Sequence, residues 1–307
     1  MKNILVTGGT GMIGAAVKNI LPEANFISSK DFNLLDETQA ENMFQELKPD
    51  YVIHLAAKVG GVKANYDNLG NFFLENIRIN TNVLECSRKH NVKKVISLLS
   101  TCVYPNNSVY PLTEEQINNG EPHYTNFAYA YAKRMLDVQS RAYRKQYGCN
   151  YVTAIPNNLF GENDYFDLKD SHVIPAIIRK IYEAKINNTP PIFWGDGSPL
   201  REFTYSKDLA EILLFLLEKY DEEHPINIGN TEEYSILQVV KYVSEILDYR
   251  GEIIWDDTKL SGQFRKPSSN KKLIDLGWEK DLYTDFKLAL KNTCEWFTMN
   301  YPNIRGV

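Results

Sequence analysis

Tyr129 and Lys133 stand four residues apart in the segment NFAYAYAKRM, a spacing that places both side chains on one face of a helix. A phenol whose pKa lies near its reference value of about 10 is a poor acid or base at neutral pH. A neighbouring ammonium group stabilises the phenolate and lowers that pKa. The pair could therefore exchange a proton with a carbonyl oxygen, although the pattern Y-x-x-x-K is too common to identify such a site alone.

Ser100 and Cys102 follow the segment KKVISLLS, which predicts a buried strand that ends in a loop. The ends of such strands are where α/β proteins place their chemistry. The Ser100 hydroxyl could hydrogen-bond the same carbonyl oxygen as Tyr129. Cys102 has two interpretations: a small apolar residue of the core, or an acid/base whose reference pKa of about 8.5 lies near neutrality.

Short apolar runs alternate with helical patterns in the first half of the chain. Strands are predicted at NILVTG, NFI, YVIHLAA, KKVISLLS and YVTAIP, each followed by a turn or a helical pattern. This alternation is typical of an α/β protein with a doubly wound parallel sheet of the Rossmann type. We expect this unit to cover residues 1–160 and to be rejoined by about 203–229. The irregular pattern after residue 160 predicts a smaller α+β unit over 161–307.

The composition is that of a globular protein, with 43% hydrophobic and 24% charged residues in a chain of 307. The net charge is -5, without a long run of one sign, so nucleic acid and anionic membranes are not expected as partners. The four cysteines lack C-x-x-C spacing, so we expect reduced thiols and no metal site. With no signal-peptide pattern and no apolar run of transmembrane length, we expect a cytoplasmic protein.

The segment TGGTGMIG, residues 7–14, joins the first predicted strand to the first predicted helix. Its Gly8, Gly11 and Gly14 allow a tight turn and let backbone N–H groups approach a pyrophosphate at a helix N-terminus. A purely structural turn is the alternative, but the position at the first strand–helix junction favours a dinucleotide. An oxidised nicotinamide ring would assist Lys133 in stabilising a Tyr129 phenolate.

The end of the second predicted strand, in FISSKDFNLLD, indicates which nicotinamide cofactor is bound. NAD sites often carry an acid here that holds the ribose 2′-OH. Ser28, Ser29 and Lys30 come first instead, and two hydroxyls and a cation suit a 2′-phosphate, so we expect NADP(H). Asp31 could nevertheless serve a 2′-OH, and Lys30 could be a solvated surface charge. Asp36 is expected near the adenine or as a helix N-cap.

Several motifs together resemble the extended short-chain dehydrogenase/reductases, a superfamily that mostly transforms nucleotide sugars. They are T-G-x-x-G-x-x-G at 7–14, HLAA at 54–57, Ser100 and Tyr129-x-x-x-Lys133. A second set resembles the epimerase–reductase branch that converts GDP-4-keto-6-deoxy-D-mannose to GDP-L-fucose. This set comprises AAKVGGV (56–62), STCVYP (100–105), YAYAKRM (129–135), IPNNLFGENDYF (155–166), SHVIPA (171–176) and WGDGSPLREF (194–203).

The resemblance implies that Cys102 and His172 transfer protons at C3 and C5 of the sugar. Both carbons flank the C4 ketone, so their protons are acidified, and inversion needs one group on each side of the ring. A core thiol and a helix-terminal polar residue are the alternatives. Tyr129 is then the proton donor in the reduction, supported by Ser100 and Lys133. The cofactor contacts implied by the resemblance are Gly8, Gly9, Thr10, Gly11, Met12, Ile13, Gly14, Ser28, Ser29, Lys30, Asp36, Leu98, Leu99, Ser100, Thr101, Lys133, Pro156, Asn157, Asn158, Leu159 and His172.

At the other end of the substrate, GDP needs cations for its diphosphate and a flat partner for guanine. The resemblance implies contacts from Lys180, Trp194, Arg201 and Ser261. Relatives carry Arg at the position of Lys180. The lysine keeps the positive charge but cannot form the paired hydrogen bonds of a guanidinium group. Ser261 stands where the family usually has Asp, which puts strict GDP specificity in question. Two further departures are Asn157 in place of Thr and Glu162 in place of Pro.

Two alternative functions stay open. One is another nucleotide-sugar epimerase or dehydratase of the superfamily, with a different base or sugar. The other is a catalytically silent NADP-binding sensor or scaffold, in which the site residues would be relics. The resemblance also implies a homodimer formed through the two long helices near 70–90 and 128–147.

Overall fold

Short apolar segments form the strands of the protein. In the computed structural model, which describes residues 3–258 and 264–307, the strands are β1 (Ile4–Thr7), β2 (Asn25–Ile27), β3 (Tyr51–His54), β4 (Lys94–Leu98), β5 (Tyr151–Pro156), β6 (Asn158–Phe160), β7 (Ile192–Trp194), β8 (Leu200–Tyr205), β9 (Ile226–Ile228), β10 (Glu233–Ser235) and β11 (Ile254–Asp256). Six of them form a parallel sheet in the order β2-β1-β3-β4-β5-β9. The predicted doubly wound parallel sheet is confirmed.

Helices connect these strands and follow recognisable start and stop signals. They are α1 (Met12–Ile20), α2 (Glu37–Leu47), α3 (Val62–Asp67), α4 (Leu69–Lys89), α5 (Phe127–Tyr147), α6 (Val173–Asn187), α7 (Ser206–Lys219), α8 (Ile236–Ile246), α9 (Lys271–Asp275) and α10 (Phe286–Asn300). Helix α8 begins with a capping box between Ser235 and Gln238. Helix α5 ends at Gly148, whose φ of 71° is favoured in glycine. Among the described residues, no helix has the length and apolar character needed to cross a membrane.

Successive side chains of the parallel strands point to opposite faces of the sheet and belong to two separate hydrophobic clusters. Val6 packs in one cluster with Val17 of α1 and Leu213 of α7. Its neighbour Leu5 packs in the other, with Phe44 of α2 and residues of α4 and α5. Because both faces are covered, the strands are apolar throughout. Burying one such Leu or Phe side chain contributes about 1.5–3 kcal/mol.

The remaining strands form two smaller sheets, in the orders β10-β8-β6 and β11-β7. With α6, α8 and α10 they enclose a third hydrophobic cluster that includes Phe160, Phe203 and Phe286. The predicted return of the chain to the main sheet is made by α7 and β9, whereas β8 belongs to the three-stranded sheet. Strand β6 therefore already lies outside the main sheet, directly after β5 ends at Pro156.

Candidate active site

Three loops meet at one edge of the main sheet. Strands β1, β4 and β5 are parallel, so their carboxyl ends open on the same side. The loops that follow them carry Gly8, Ser100 and Asn157, respectively. The structure therefore brings together three of the segments that the sequence singled out.

The turn after β1 has no room for a side chain at Gly8 or at Gly14. Gly8 has a φ of +70°, and an added Cβ would lie 2.9 Å from the backbone nitrogen of Ala56. At Gly14 an added Cβ would lie 2.6 Å from the carbonyl oxygen of Gly8. Helix α1 begins directly after Gly11, without a side-chain cap, so its first N–H groups face this turn. This cradle fits the pyrophosphate of a dinucleotide, which binds at such a helix N-terminus.

A buried polar cluster holds the glycine turn in place. The hydroxyl Oγ1 of Thr7 accepts hydrogen bonds from the backbone N–H groups of Leu55 and Ala56, both at 3.2 Å. It also bonds Nδ1 of His54 at 2.8 Å, while Nε2 of His54 bonds Oδ1 of Asn80 at 3.1 Å. Burial, with a smaller effect of the nearby lysine charge, lowers the pKa of His54 to about 4. His54 is thus a neutral core histidine.

The loop after β2 carries the residues predicted to determine whether NADP(H) or NAD(H) is bound. The backbone N–H and the hydroxyl of Ser28 both donate to Oδ2 of Asp31, at 2.8 and 2.7 Å. These bonds lower the pKa of Asp31. They also direct its carboxylate toward Ser28 of the same loop. Ser29 and Lys30 remain exposed at the surface. Asp36 caps α2 by accepting from Thr38 N–H at 2.8 Å and Gln39 N–H at 3.2 Å; its contact with adenine stays a prediction.

Lys133 anchors helix α5 to the end of β4. It is 4% exposed, and its Nζ donates a hydrogen bond to the carbonyl oxygen of Leu98 at 2.8 Å. Burial lowers the pKa of Lys133 to about 8. The Nζ also lies 5.8 Å from the centre of the Tyr129 ring. The two side chains share one helix face, as their spacing predicted.

The Tyr129 phenol differs from the sequence-based expectation. We expected the ammonium of Lys133 to lower its pKa, but in this structure burial raises the pKa of Tyr129, and the charge of a Cys102 thiolate raises it further. Desolvation by burial is the larger of these two causes. Tyr129 is therefore held as a neutral phenol, which is the form that donates a proton.

Cys102 lies in a short 3-10 turn, Thr101–Val103, directly after Ser100. The Ser100 hydroxyl oxygen accepts a hydrogen bond from Cys102 N–H at 3.3 Å. The side-chain amide of Asn126, which begins α5, donates to Cys102 Sγ at 3.0 Å. Cys102 is partly accessible, unlike the buried Cys86 and Cys294. A thiol so placed is not simple core filling, because a polar donor is directed at its sulfur.

His172 is the N-cap residue of α6, with extended backbone and no side-chain cap bond. The His172 side chain is exposed to solvent on one side. Desolvation of the imidazole by the surrounding protein nevertheless lowers its pKa. The preceding loop is fixed by Asp167, which accepts from the N–H groups of Lys169 at 2.7 Å and Asp170 at 2.9 Å. The carbonyl oxygen of Asp170 accepts from Gly61 N–H at 2.9 Å. The AAKVGGV motif is therefore bonded to the residue that directly precedes the SHVIPA motif.

Lys266 is a partly buried cation near this site that the sequence reasoning missed. Burial lowers the pKa of its ammonium, the charge of a Cys102 thiolate raises it, and the charge of Arg201 lowers it. Such effects fall off with distance, so these three groups share one neighbourhood. The segment FRKP, which contains Lys266, has no periodic pattern that could have placed it there.

Two of the residues predicted to bind the nucleotide, Lys180 and Trp194, are associated with the same strand, β7. Lys180 donates from Nζ to the carbonyl oxygen of Ile192 at 2.8 Å and lies 5.3 Å from the centre of the Phe193 ring. Trp194 follows on the same strand and is 65% exposed, as a stacking surface requires. Ser261 lies outside the described residues.

The two other departures from the family pattern fit their surroundings. Glu162 accepts from Tyr205 Oη at 2.7 Å and pairs with Lys207 Nζ at 2.7 Å. Asn157 accepts from Thr204 Oγ1 at 2.6 Å and donates to the carbonyl oxygen of Asn230 at 2.7 Å. The Asn157 side chain is thus turned into the protein, and its contact with the cofactor stays a prediction.

The fold and site together define a dinucleotide-dependent enzyme of the Rossmann type that acts at a carbonyl or alcohol carbon. Residues 4–229 match the family described as the NAD dependent epimerase/dehydratase family. The chain belongs to that family.

Individual relatives agree over nearly the full length. A GDP-L-fucose synthase from Dictyostelium discoideum is 41% identical, covering 99% of this chain and 98% of the relative. A GDP-L-colitose synthase from Yersinia pseudotuberculosis is 36% identical, covering 96% and 97%. The crystal structure of a GDP-L-fucose synthetase from Naegleria fowleri bound to NADP has a TM-score of 0.93 and 40% identity, covering 99% and 96%. The resemblance drawn from the sequence motifs is confirmed.

Proposed function

We propose that the protein is an NADPH-dependent epimerase–reductase that converts GDP-4-keto-6-deoxy-D-mannose to GDP-L-fucose. The observation that carries the proposal is the loop after β4, which presents Ser100 and Cys102 next to Tyr129 and Lys133. A reductase without epimerase activity has no need of a thiol there. The relatives named as GDP-L-fucose synthases support the same substrate.

Epimerisation comes first in this scheme. The Cys102 thiolate removes the proton from a carbon next to the ketone, and the electron pair of that C–H bond moves to the C4 oxygen as an enolate. The Ser100 hydroxyl and the neutral Tyr129 phenol donate hydrogen bonds to this oxygen and stabilise its charge. His172, on the opposite side of the ring, returns a proton, and the configuration is inverted.

Reduction follows at C4. When bound, NADPH supplies a hydride to that carbon. Tyr129 donates its phenolic proton to the C4 oxygen, so that the ketone becomes a hydroxyl. Burial keeps Tyr129 protonated before this step, and Lys133, fixed by its bond to Leu98, stabilises the phenolate that remains.

The residues that hold the cofactor are assigned from the same geometry. The glycine turn at Gly8 and Gly14 takes the pyrophosphate. Ser29 and Lys30 take the 2′-phosphate, because Asp31 is already bonded to Ser28 and is not directed at a ribose hydroxyl. Domain roles follow: the main sheet with its helices, residues up to 157 together with 206–229, binds NADPH, and the remainder of the chain binds the sugar nucleotide.

A single assay tests this function. The protein is mixed with NADPH and GDP-4-keto-6-deoxy-D-mannose, nicotinamide absorbance is followed, and the sugar product is identified by NMR. We expect one NADPH consumed for each GDP-L-fucose formed. NADPH consumption that yields an unepimerised 6-deoxy sugar, or no consumption at all, would contradict the proposal.

A different keto sugar is the second candidate, because one close relative is named a GDP-L-colitose synthase. A panel of GDP-, UDP- and dTDP-linked 4-keto sugars separates the two. The proposed substrate should have the highest kcat/KM. A higher kcat/KM for another sugar nucleotide would identify that compound as the substrate instead.

We also infer a homodimer formed by α4 and α5. These helices pack side by side and expose Phe73, Leu74, Met135 and Val138, each at 40% or more. An apolar surface on adjacent long helices suits a second copy of the chain. Light scattering should give twice the chain mass, and Met135→Glu should give a monomer; a monomeric wild type would exclude this dimer.

We propose that the enzyme works in the cytoplasm. Cys86, Cys102, Cys149 and Cys294 all carry free thiols, and the proposed mechanism needs Cys102 reduced. A reducing compartment maintains that state.

A further inference from the structure

Arg179 is a largely buried cation that the scheme above does not use. It lies in α6, about two turns after His172, the N-cap residue of that helix. Its Nε pairs with Glu183 Oε1 at 2.7 Å. Its Nη1 donates to the carbonyl oxygens of Phe166 at 3.0 Å and Gly306 at 2.6 Å. One guanidinium group therefore joins α6 to two segments, one before His172 and the other after α10.

The segment after α10, residues 304–307, lies along the loop that contains Phe166. The carbonyl oxygen of Arg305 accepts a hydrogen bond from Phe166 N–H at 2.9 Å. Gly306 has a φ of +88°, and an added Cβ there would lie 2.5 Å from the backbone nitrogen of Asp167. The two backbones therefore approach each other so closely that only glycine fits at this position.

The side chain of Phe166 fixes the loop from another direction. Its ring is buried, with its centre 4.7 Å from the ring centre of Phe297 and 6.1 Å from that of Trp296, both in α10. The side chain, the N–H group and the carbonyl oxygen of Phe166 are thus all held at once. The position of this loop is set by α10, the segment after it and Arg179.

From Phe166 the chain reaches His172 through a turn closed by Asp167. The Oδ1 atom of Asp167 accepts from the N–H groups of Lys169 at 2.7 Å and Asp170 at 2.9 Å. Its carbonyl oxygen accepts from the N–H of residue 171 at 3.2 Å. Because these bonds close the turn, a displacement of Asp167 also displaces the backbone of His172.

The end of this turn contacts the edge of the main sheet where the glycine turn lies. Gly61 N–H donates to the carbonyl oxygen of Asp170 at 2.9 Å, and an added Cβ at Gly61 would lie 3.0 Å from that oxygen. Gly61 belongs to the loop after β3, and Ala56 of the same loop packs against Gly8. His172 therefore follows a backbone segment that is bonded to the carboxyl edge of the sheet.

We propose that Arg179 is a positioning residue, which with residues 304–307 clamps the loop at Phe166 and so holds His172 where it returns a proton to the sugar. The guanidinium group suits this role, because its ion pair with Glu183 fixes its plane while Nη1 bonds both carbonyl oxygens. The inference rests on the proposed role of His172.

The test uses two variants of this clamp, each with a matched control. Gly306→Ala places a Cβ against the neighbouring loop. Gly277 also has a positive φ, of +108°, but open space around it, so Gly277→Ala reports the cost of backbone strain alone. Arg179→Met removes both bonds to carbonyl oxygens. Arg88 makes a similar ion pair within α4, so Arg88→Met reports the loss of the ion pair alone.

Three quantities are measured for each variant. They are the rate of GDP-L-fucose formation, deuterium uptake by the keto sugar in the presence of oxidised cofactor, and hydrogen exchange of backbone amides in peptides covering 57–62 and 163–172. The last measurement needs no substrate, so it reports the position of the loop independently of the reaction.

In Gly306→Ala and Arg179→Met we expect GDP-L-fucose formation to fall about 10- to 100-fold, because small misplacements of a catalytic group cost that much. Deuterium uptake should change little, since Cys102 still removes the proton. The amides of Lys169 and Asp170 should exchange about tenfold faster, because their hydrogen bonds open more often.

Two further variants separate position from chemistry. Arg179→Lys keeps the cation and one donor group, so it should recover part of the lost activity. His172→Ala should show the same loss of GDP-L-fucose with retained deuterium uptake, but with normal amide exchange. Gly277→Ala and Arg88→Met should resemble the wild type in all three measurements.

Normal GDP-L-fucose formation in both clamp variants would overturn the proposal. Wild-type amide exchange in these variants would also overturn it, as would equal losses in the two controls. If His172→Ala formed GDP-L-fucose normally while the clamp variants lost activity and amide protection together, the positioning role of Arg179 would stand and the proposed role of His172 would fall.

Discussion

The side-chain amide of Asn126 donates a hydrogen bond to the sulfur of Cys102 over 3.0 Å. Asn126 is the N-cap of α5, and Tyr129 lies three residues further along that helix. The start of one helix therefore sets the position of the Asn126 amide that faces the thiol and of the Tyr129 phenol. This arrangement places the two proposed proton-transfer groups, Cys102 and Tyr129, on one rigid support.

Replacing Asn126 should weaken the base without disturbing the cofactor. Asn126→Ala removes a donor to the sulfur, so we expect Cys102 alkylation and proton exchange to fall about tenfold, in line with a lost hydrogen bond to a charged group. Asn126→Asp should reduce both further, because a carboxylate repels the thiolate. If Asn126→Asp were as active as the wild type, the bond to Cys102 would have no role in proton removal.

Tyr129→Phe should abolish most of the reduction. General acid catalysis contributes about 10²–10⁴-fold, so NADPH consumption with the keto sugar should fall within that range while NADPH binding persists. Tyr131→Phe is the matched control, since Tyr131 Oη bonds Glu121 at 2.5 Å near the surface and has no role in the scheme. Near-normal turnover by Tyr129→Phe would remove Tyr129 as the proton donor.

Lys133 should make stability depend on pH in a defined window. Burial lowers the pKa of Lys133 in the folded protein to about 8, below its ordinary value of 10.5, so between these values the unfolded chain binds more protons. Stability from this group therefore rises with pH across the window. Urea unfolding of the wild type and Lys133→Met at about pH 7.5 and about pH 9.5 should show the wild type gaining up to about 2 kcal/mol relative to the variant. A constant difference would mean that Lys133 titrates normally.

Lys30→Ala should alter the choice of cofactor. We expect NADPH affinity to fall about 10- to 100-fold, as for a lost charged hydrogen bond, and NADH affinity to change little. Fluorescence titration with each reduced cofactor measures both. Lys18→Ala is a suitable control, because its Nζ lies over the Phe26 ring, 5.9 Å from the centroid. Equal losses for both cofactors would show that Lys30 does not contact the 2′-phosphate.

Much of the main sheet follows from local sequence patterns. Apolar runs such as YVTAIP match β5, and ETQAENMFQEL matches α2 residue for residue, because burial on both faces of a parallel sheet demands such runs. The glycine turn and the Tyr129–Lys133 face were equally readable, since each depends on residues close together in the chain.

The residues that the sequence did not indicate are those placed by long-range contacts. The segment that contains Lys266 is held by the pairing of Leu112 with Ser268, and no local pattern encodes that pairing. Arg179 lies in α6, but its partners Phe166 and Gly306 come from other parts of the chain. The Tyr129 pKa depends on burial, which the Y-x-x-x-K spacing does not report.

Deuterium uptake by the keto sugar tests the role of Cys102 most directly. GDP-4-keto-6-deoxy-D-mannose is incubated in D₂O with enzyme and oxidised cofactor, which prevents reduction, and its mass is followed over time. Cys149→Ala serves as the control, since Cys149 also carries a free, partly accessible thiol. We predict uptake at the carbons flanking the ketone for the wild type and Cys149→Ala, and none above background for Cys102→Ala. Uptake by Cys102→Ala at the wild-type rate would show that another group is the base.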